Sequence, residues 1–430
     1  MRTRFAAEAL ADPEFAASER EIRRCVHCGF CLATCPTYVL LGDELDSPRG
    51  RIALIQEMLE NAKPPSAEVV KHVDRCLSCL ACTTTCPSGV DYGRLVDHAR
   101  WYIHEKYRRP WADRLWRALL ARVLPYPARL RGALAWSRAA KPLANLIGRA
   151  PFLEPLAAMI RLAPRSLPPA APAARLGPPA DRPRVALLGG CAESLLRPEI
   201  RAASVRLLAR SGFEAGKADG DGCCGALVHH LGRRGEALAA AKRNIETWSR
   251  EIDAGGLAAI VATASGCGTM IKDYGFLLRG EPAWAEKAAR VSALAKDICE
   301  FIEQSGLPPT TGGAEALSVA YLAPCSLQHG QRAAPCAARL MSKAGFAVAE
   351  PEEAHLCCGS AGTYNILQSQ IAGRLRDRKA ERLAELKPGV VAAGNIGCLT
   401  QIGDRAGAPA VHPVELLDWA TGGPKPARLG

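Results

Sequence analysis

A chain of 430 residues, 48% of them hydrophobic, is long enough for about three domains with cores of their own. Its longest apolar runs, such as VALLGGC at 185–191, stop far short of the roughly 20 residues that cross a bilayer, and acids interrupt MRTRFAAEALADPEF where a cleaved signal needs an apolar core, so neither a membrane span nor export is expected. The net charge of +12 belongs to one segment: between Arg100 and Arg184 there are 17 Lys and Arg against 4 Asp and Glu, which leaves the remainder near neutral.

Along residues 1–100, two cysteine clusters flank a helical run, RIALIQEMLEN, opened by Pro48 and Arg49 and carrying Ile52, Ile55, Met58 and Leu59 on one face. From 101 the pattern turns amphipathic and basic. Leu115, Trp116, Leu119, Leu120, Val123 and Leu124 form a predicted stripe, with Arg114, Arg117 and Arg122 outside it. The segment holds Trp101, Trp111, Trp116 and Trp136, four of the seven tryptophans, which suits an anionic membrane surface, a partner subunit or a packing helix between domains; no recognisable module supports nucleic acid. Residues 166–183 read as a proline-rich linker. Beyond it, VALLGG (185–190), AAIVATA (258–264), LSVAYLA (317–323) and VVAAGNI (390–396) alternate with helical stretches, the pattern of β-α units and a parallel sheet.

The second half repeats itself. Cys191 precedes Cys223-Cys224-Gly225 by 32 residues, and Cys325 precedes Cys357-Cys358-Gly359 by 32. Each copy is expected to close on a single cysteine, Cys267 or Cys398, with SGCG at 265–268 read as a turn. A duplicated unit explains the coincidence. The predicted fold class is α+β multidomain: a helical two-cluster ferredoxin-like domain (1–100), basic amphipathic helices and linker (101–182), then a duplicated α/β, parallel-sheet CCG domain (183–305 and 306–430).

Cys25-x2-Cys28-x2-Cys31-x3-Cys35-Pro36 and Cys76-x2-Cys79-x2-Cys82-x3-Cys86-Pro87 match the bacterial ferredoxin run for [4Fe–4S] clusters. In two-cluster ferredoxins the fourth cysteine of each run ligates the other cluster. Cluster one is therefore assigned to Cys25, Cys28, Cys31 and Cys86, and cluster two to Cys76, Cys79, Cys82 and Cys35. Zinc, the alternative, prefers paired ligand doublets. Gly29 lets backbone amides approach the sulfurs, and His27 is expected at the solvent edge.

Cys191, Cys223, Cys224 and Cys267, and likewise Cys325, Cys357, Cys358 and Cys398, fall at strand ends that a doubly wound sheet brings together. Each set is either a metal site, holding a further cluster or zinc, or a group of reduced buried thiols. His229, His230, His329 and His355 are expected beside these cysteines as hydrogen-bond donors. Cys299 and Cys336 are expected to be buried and inert. The sequence carries no G-x-G-x-x-G, P-loop or nucleophile elbow, so hydride chemistry on this chain is not expected and single-electron transfer is.

The stretches CVHCGFCLATCPTYVLLGDELDSPRGRI, DRCLSCLACTTTCPSGVDY, TASGCGTMIKDYG and HLCCGSAGTYN closely resemble iron–sulfur subunits of bacterial glycolate oxidase (glycolate dehydrogenase), in a wider family with lactate-utilisation, anaerobic glycerol-3-phosphate dehydrogenase and heterodisulfide reductase subunits. The resemblance implies an electron-transfer subunit rather than the site of hydroxy-acid oxidation. A separate FAD subunit would convert glycolate to glyoxylate, a second flavoprotein-like subunit would assist, and a membrane quinone would accept the electrons. It further implies a cytoplasmic protein, peripheral on the inner membrane face. Heterodisulfide reductase-type modules end in C-x-x-C, whereas Met270 and Gln401 stand here. That departure leaves a four-thiolate site, a zinc site or no metal open for each repeat, and counts against a catalytic disulfide-reducing role.

Overall fold

Short polar caps and prolines start the helices of the first hundred residues. In the computed structural model, which describes residues 1–164, 166–169, 174–178, 181–312 and 317–430, α1 (Pro13–Arg24) begins behind Asp12, whose side chain accepts from the Glu14 amide. Ser47 caps α2 (Pro48–Glu60), Ser66 caps α3 (Ala67–Asp74) and Asp91 caps α4 (Tyr92–Lys106). The predicted face of α2, Ile52, Ile55, Met58 and Leu59, is buried and shares a core with Val73 of α3 and Leu95 and Ile103 of α4. The cysteine loops leave the ends of α1 and α3, so one helix-then-loop unit occurs twice.

The basic segment folds as α5 (Trp111–Val123), α6 (Pro127–Ala139) and α7 (Glu154–Leu162), joined by shorter turns. Its expected stripe is split. Trp116 and Leu120 are buried, but Leu115 and Leu119 are exposed, and Arg117, expected outside, reaches Asp74 at 2.8 Å. The cause is the nearly buried carboxylate of Asp74, which takes Arg109 as well (2.6 Å) and turns that edge of α5 inward.

The second half forms eight short strands. They are β1 (Arg184–Leu187), β2 (Glu214–Gly216), β3 (Ala259–Ala262), β4 (Ala295–Asp297), β5 (Ser318–Tyr321), β6 (Ala347–Ala349), β7 (Val390–Ala392) and β8 (Ala410–Val411). They make two all-parallel sheets of the same order, β2-β1-β3-β4 and β6-β5-β7-β8. The four apolar runs become β1, β3, β5 and β7, the two inner strands of each sheet. Of the linker at 166–183, residues 170–173 and 179–180 lie outside the described residues. Part of the remainder is not free: Arg175 pairs with Lys217 just beyond β2, the amide of Leu176 donating to the Lys217 carbonyl at 2.9 Å.

Helices α8 (Pro198–Arg210), α9 (Arg234–Gly255), α10 (Ser265–Lys272), α11 (Ser369–Ala384) and α12 (Pro413–Ala420) connect and flank the strands. SGCG at 265–268 is thus the first turn of α10, not a closing turn, and each repeat runs on to a fourth strand. The repeats are joined through α8 and α12, where buried Asp418 takes Arg206 and Arg210 at 2.5 Å each. Val185 and Leu187 of the first sheet share one core with Val319, Val390 and Val391 of the second. The loops after β3 and β5 meet through Ser265 Oγ and Ser326 Oγ, 2.7 Å apart.

Candidate metal centres

Each N-terminal loop is built around two left-handed residues. In CVHCGFC these are His27 (φ +55°) and Gly29 (φ +87°), and in CLSCLAC they are Ser78 (φ +52°) and Leu80 (φ +63°). Such alternation turns neighbouring amides toward one side, making a concavity that suits anionic sulfur. The Ser78 amide donates to Cys76 Sγ at 3.4 Å. Glycine tolerates this geometry at 29, whereas Leu80 at the matching place carries about 1–2 kcal/mol of strain. His27 is exposed, with Nε2 2.8 Å from the Met1 sulfur.

Cys25, Cys28, Cys31 and Cys86 line one small cavity of about 30 Å³, which Cys82 also borders; Cys35, Cys76, Cys79 and Cys82 line another of about 20 Å³. The fourth cysteine of each run faces the other run's cavity. All are free thiols. Burial pushes Cys31 up to about 11 and Cys82 well above the usual thiol range; Cys79 is raised by burial and then by neighbouring Cys325. Binding a metal centre at these raised thiols would displace their protons. Four cysteines around each cavity are a donor set that fits a cubane cluster.

Arg51, which sequence reasoning passed over, lines the second cavity and is 1% exposed. Its Nε donates to the His72 carbonyl (2.6 Å), Nη2 to Thr37 Oγ1 (3.1 Å) and Asp46 Oδ1 (3.2 Å), and Nη1 lies 3.9 Å from Cys35 Sγ. Asp46 is closed off by His72 (2.9 Å) and Arg75 (2.7 Å) as well. The signal was present: Arg51, Ile55 and Met58 share one helical face, and an arginine on an apolar face needs a buried partner.

The repeat cysteines converge as two quartets of the same connectivity. Thiol hydrogen bonds run Cys191–Cys223–Cys224–Cys267 in the first and Cys325–Cys357–Cys358–Cys398 in the second, with Cys325 and Cys357 3.7 Å apart and Cys358 and Cys398 3.5 Å apart. A tetrahedron of sulfurs about one metal has edges of about 3.8 Å for bonds of about 2.3 Å. Hydrogen bonds from Cys191 and Cys224 hold Cys223 down to about 3, and those from Cys357 and Cys398 hold Cys358 well below the usual thiol range. Three buried cysteines and one half-buried one in each quartet are a donor set that fits a metal centre.

The topology explains the convergence. Cys191 follows β1 and Cys267 follows β3, the adjacent strands from which the chain builds outward in opposite directions; Cys325 and Cys398 hold the same places after β5 and β7. The CCG glycines are left-handed, Gly225 at φ +90° and Gly359 at φ +85°, and their amides donate to Cys223 and Cys357 Sγ at 3.5 and 3.4 Å. Met270 and Gln401 are both buried, and the Gln401 amide is tied to Asn365 and the Ala372 carbonyl.

The second N-terminal loop abuts the second repeat. Leu77, Cys79 and Ala81 pack with Cys357, Tyr364 and Leu375, and the Tyr364 hydroxyl donates to the Arg75 carbonyl at 3.0 Å. The first loop is at the surface: Cys28 is exposed, and Val26 and Phe30 are 67% and 63% exposed. Of the four histidines expected beside the repeat cysteines, His230 borders the cavity that those cysteines line, and three of the side chains face other groups. His229 and His230 turn to Asp97 (3.2 and 3.6 Å), while His329 bridges Thr84 (2.8 Å) and the His355 carbonyl (3.3 Å). Half-buried Asp97, a carboxylate of α4, draws the first two. Cys299 and Cys336 are buried in the core the repeats share and do not line the cavity that the quartets border.

Three stretches of the chain match known families. Residues 21–90 match the 4Fe-4S dicluster domain family, and residues 185–272 and 319–403 each match the cysteine-rich CCG domain family. The glycolate oxidase iron-sulfur subunit of Escherichia coli K12 is 38% identical over 98% of this chain and 99% of its own length. The probable glycolate oxidase iron-sulfur subunit of Bacillus subtilis 168 is 30% identical over 94% and 95%. Lactate utilization protein A of Bacillus licheniformis is 28% identical over 55% of this chain and 97% of its own length.

Proposed function

From its place in the family of glycolate oxidase iron–sulfur subunits, to which this chain belongs, we propose that it is the electron-transfer subunit of a flavin-dependent glycolate dehydrogenase. Glycolate is oxidised to glyoxylate on a partner that bears FAD, a second flavoprotein-like subunit assists, and electrons leave this chain for a membrane quinone. Glycolate is favoured over lactate because the glycolate oxidase relatives match nearly end to end, whereas lactate utilization protein A aligns with 55% of the chain.

Cys25, Cys28, Cys31 and Cys86 would hold the first [4Fe–4S] cluster, and Cys35, Cys76, Cys79 and Cys82 the second. Clusters bound there supply one-electron transfer. Each repeat quartet would hold a further metal centre. The four units are 1–100, 101–182, 183–305 and 306–430. The observation that carries this reading is the line of cysteine sites from the exposed Cys28 loop, through the buried Cys79 loop, to Cys325 and Cys357. Val26 and Phe30 leave an apolar edge at the first loop for a flavoprotein to cover. Arg51 places a buried positive charge where an arriving electron adds negative charge. The exposed apolar and basic helices of the 101–182 segment would rest on the anionic inner face of the membrane.

Cys79→Ser in the assembled complex tests the conduit. Quinone reduction is expected to vanish while glycolate still reduces the flavin; unchanged quinone reduction would remove the reading. Iron, sulfide and zinc measured on anaerobically purified chain should give about eight irons for the two N-terminal sites, at four per cubane, and any excess belongs to the quartets.

A further inference from the structure

A cavity of about 480 Å³ lies where α5, α6 and α7 close over the cysteine loops of both repeats. All eight repeat cysteines line it. So do Leu119, Leu124, Leu134, Leu156, Met159 and Leu162 from the three helices. The wall also holds Glu193, whose Oε1 accepts from the Thr263 hydroxyl while Oε2 is buried with no hydrogen-bond partner among the described residues. A buried acceptor without a donor is an incomplete site.

The cavity opens on the apolar side of the molecule. Leu119 and Trp136 line it and are at the same time 39% and 56% exposed. Of the twelve large apolar side chains left exposed among the described residues, eight lie between Trp111 and Phe152. The surrounding segment has 17 basic residues against 4 acidic. The segment that carries most of the exposed apolar side chains is also basic, and it forms the mouth of an apolar chamber whose inner wall bears two sets of four sulfurs. A chamber of this size suits a substituted ring and the first part of a hydrocarbon tail. Leucine and methionine walls give a charged or strongly polar acceptor nothing to replace its lost water.

We propose that this cavity is the acceptor site, where a lipophilic quinone drawn from the bilayer is reduced beside the two cysteine quartets. The inference rests on the electron-transfer reading above, quinone acceptor included, and adds the place of reduction and the route into it. The two carbonyls of the ring become hydroxyls by uptake of two electrons and two protons. The electrons come from the 2-hydroxy acid oxidised to its 2-oxo acid on the flavoprotein, which releases two protons to water; the ring takes two protons from water, so the balance closes. Glu193 Oε2 accepts a hydrogen bond from a hydroxyl of the reduced ring.

An azido-benzoquinone with a decyl tail, photolysed on the loaded full-length protein, should label peptides within 119–137 and 156–163. Unlabelled decyl-benzoquinone should compete. Label elsewhere, or label competed by an aliphatic disulfide and not by the quinone, would overturn the assignment. In the assembled complex, Leu134→Arg and, separately, Leu156→Arg should raise the half-saturating decyl-benzoquinone concentration about tenfold or more, because a guanidinium replaces apolar contact worth at least 1.4 kcal/mol at that ratio. Glycolate-dependent ferricyanide reduction should be unchanged, and this also shows that the variants fold. Variants that keep wild-type quinone kinetics would sink the cavity assignment and leave the electron-transfer subunit standing. A wild-type complex that reduces ferricyanide but no quinone would remove both.

Discussion

Three of the four cysteines at each N-terminal site come from seven consecutive residues, Cys25–Cys31 or Cys76–Cys82, whereas each C-terminal quartet gathers sulfurs from Cys191 to Cys267 or from Cys325 to Cys398. The first arrangement is set by local backbone: two left-handed residues per loop orient the amides, and a short helix precedes each loop. The second exists only when a parallel sheet brings the ends of its two inner strands together. Local sites should therefore respond mainly to changes in the charge and contacts beside the loop, and assembled sites to changes in the fold.

The largest expected effect probes the local kind. Arg51→Leu removes a cation from the buried Asp46 network beside Cys35 and leaves that carboxylate with His72 and Arg75. Breaking a buried pair costs about 3–5 kcal/mol, visible in chemical denaturation of the loaded protein. Loss of positive charge should also move the second cluster to a more negative potential in an EPR-monitored titration, and Arg51→Lys should restore much of the potential but little of the stability, since Lys lacks the fork that reaches Thr37 and His72. A potential unmoved by Arg51→Leu would mean that solvent, not this charge, sets the site.

This contrast also explains what could be read from the sequence. The N-terminal runs were legible because their cysteines lie close together in sequence and the motif states its own geometry. The inner strands β1, β3, β5 and β7 were legible as apolar runs, while β2, β4, β6 and β8, two or three residues long and written EAG, AKD, AVA and AV, carry too little pattern to register. Arg117 was placed outside because periodicity along α5 is blind to Asp74 on another helix. The contacts of His229 and His329 escaped for the same reason: proximity in sequence to Cys224 and Cys325 says nothing of Asp97 or Thr84. The cavity wall comes from α5–α7 and both repeats, a meeting that no local pattern encodes.

Between the repeats, matched positions diverge in charge. After the fourth strand of each sheet stands a helix N-cap with a capping box, Asp297 with Glu300 in the first and His412 with Glu415 in the second. Burial pushes Asp297 up to about 7 and His412 down to about 4. An acid whose folded pKa is raised loses stability as pH climbs from about 4 to about 7, because the folded state holds the proton that the unfolded chain has released. A base whose folded pKa is lowered loses stability as pH falls from about 6.5 to about 4, because the unfolded chain takes up a proton that the folded state refuses. The shifts correspond to effects on the order of 3–4 kcal/mol each. Asp297→Asn keeps a good cap and should flatten the alkaline side of a stability–pH curve, while His412→Asn should flatten the acid side. Its lost Nε2–H bond to the Thr263 carbonyl (2.8 Å) should lower stability at neutral pH. Identical slopes in wild type and both variants would mean these caps are solvated.

The smallest effect compares the quartets with each other. A Cβ on Gly225 would sit 3.1 Å from the Ala237 carbonyl oxygen of α9, and one on Gly359 would sit 2.7 Å from the Ala372 carbonyl oxygen and 3.0 Å from Leu375 Cβ of α11. Left-handed backbone alone makes alanine cost about 1–2 kcal/mol at either place. The closer contact at 359 has no flexible side chain to yield, so α11 or the CCG loop must shift, carrying Cys357 and Cys358 away from Cys325 and Cys398. Gly359→Ala should therefore lower the melting temperature by several degrees more than Gly225→Ala and reduce metal bound per chain, whereas Gly225→Ala should retain its metal. Equal losses in the two variants would show that both quartets depend on the left-handed turn alone, and that the tighter seat of the second loop on its helix adds nothing to the hold on sulfur.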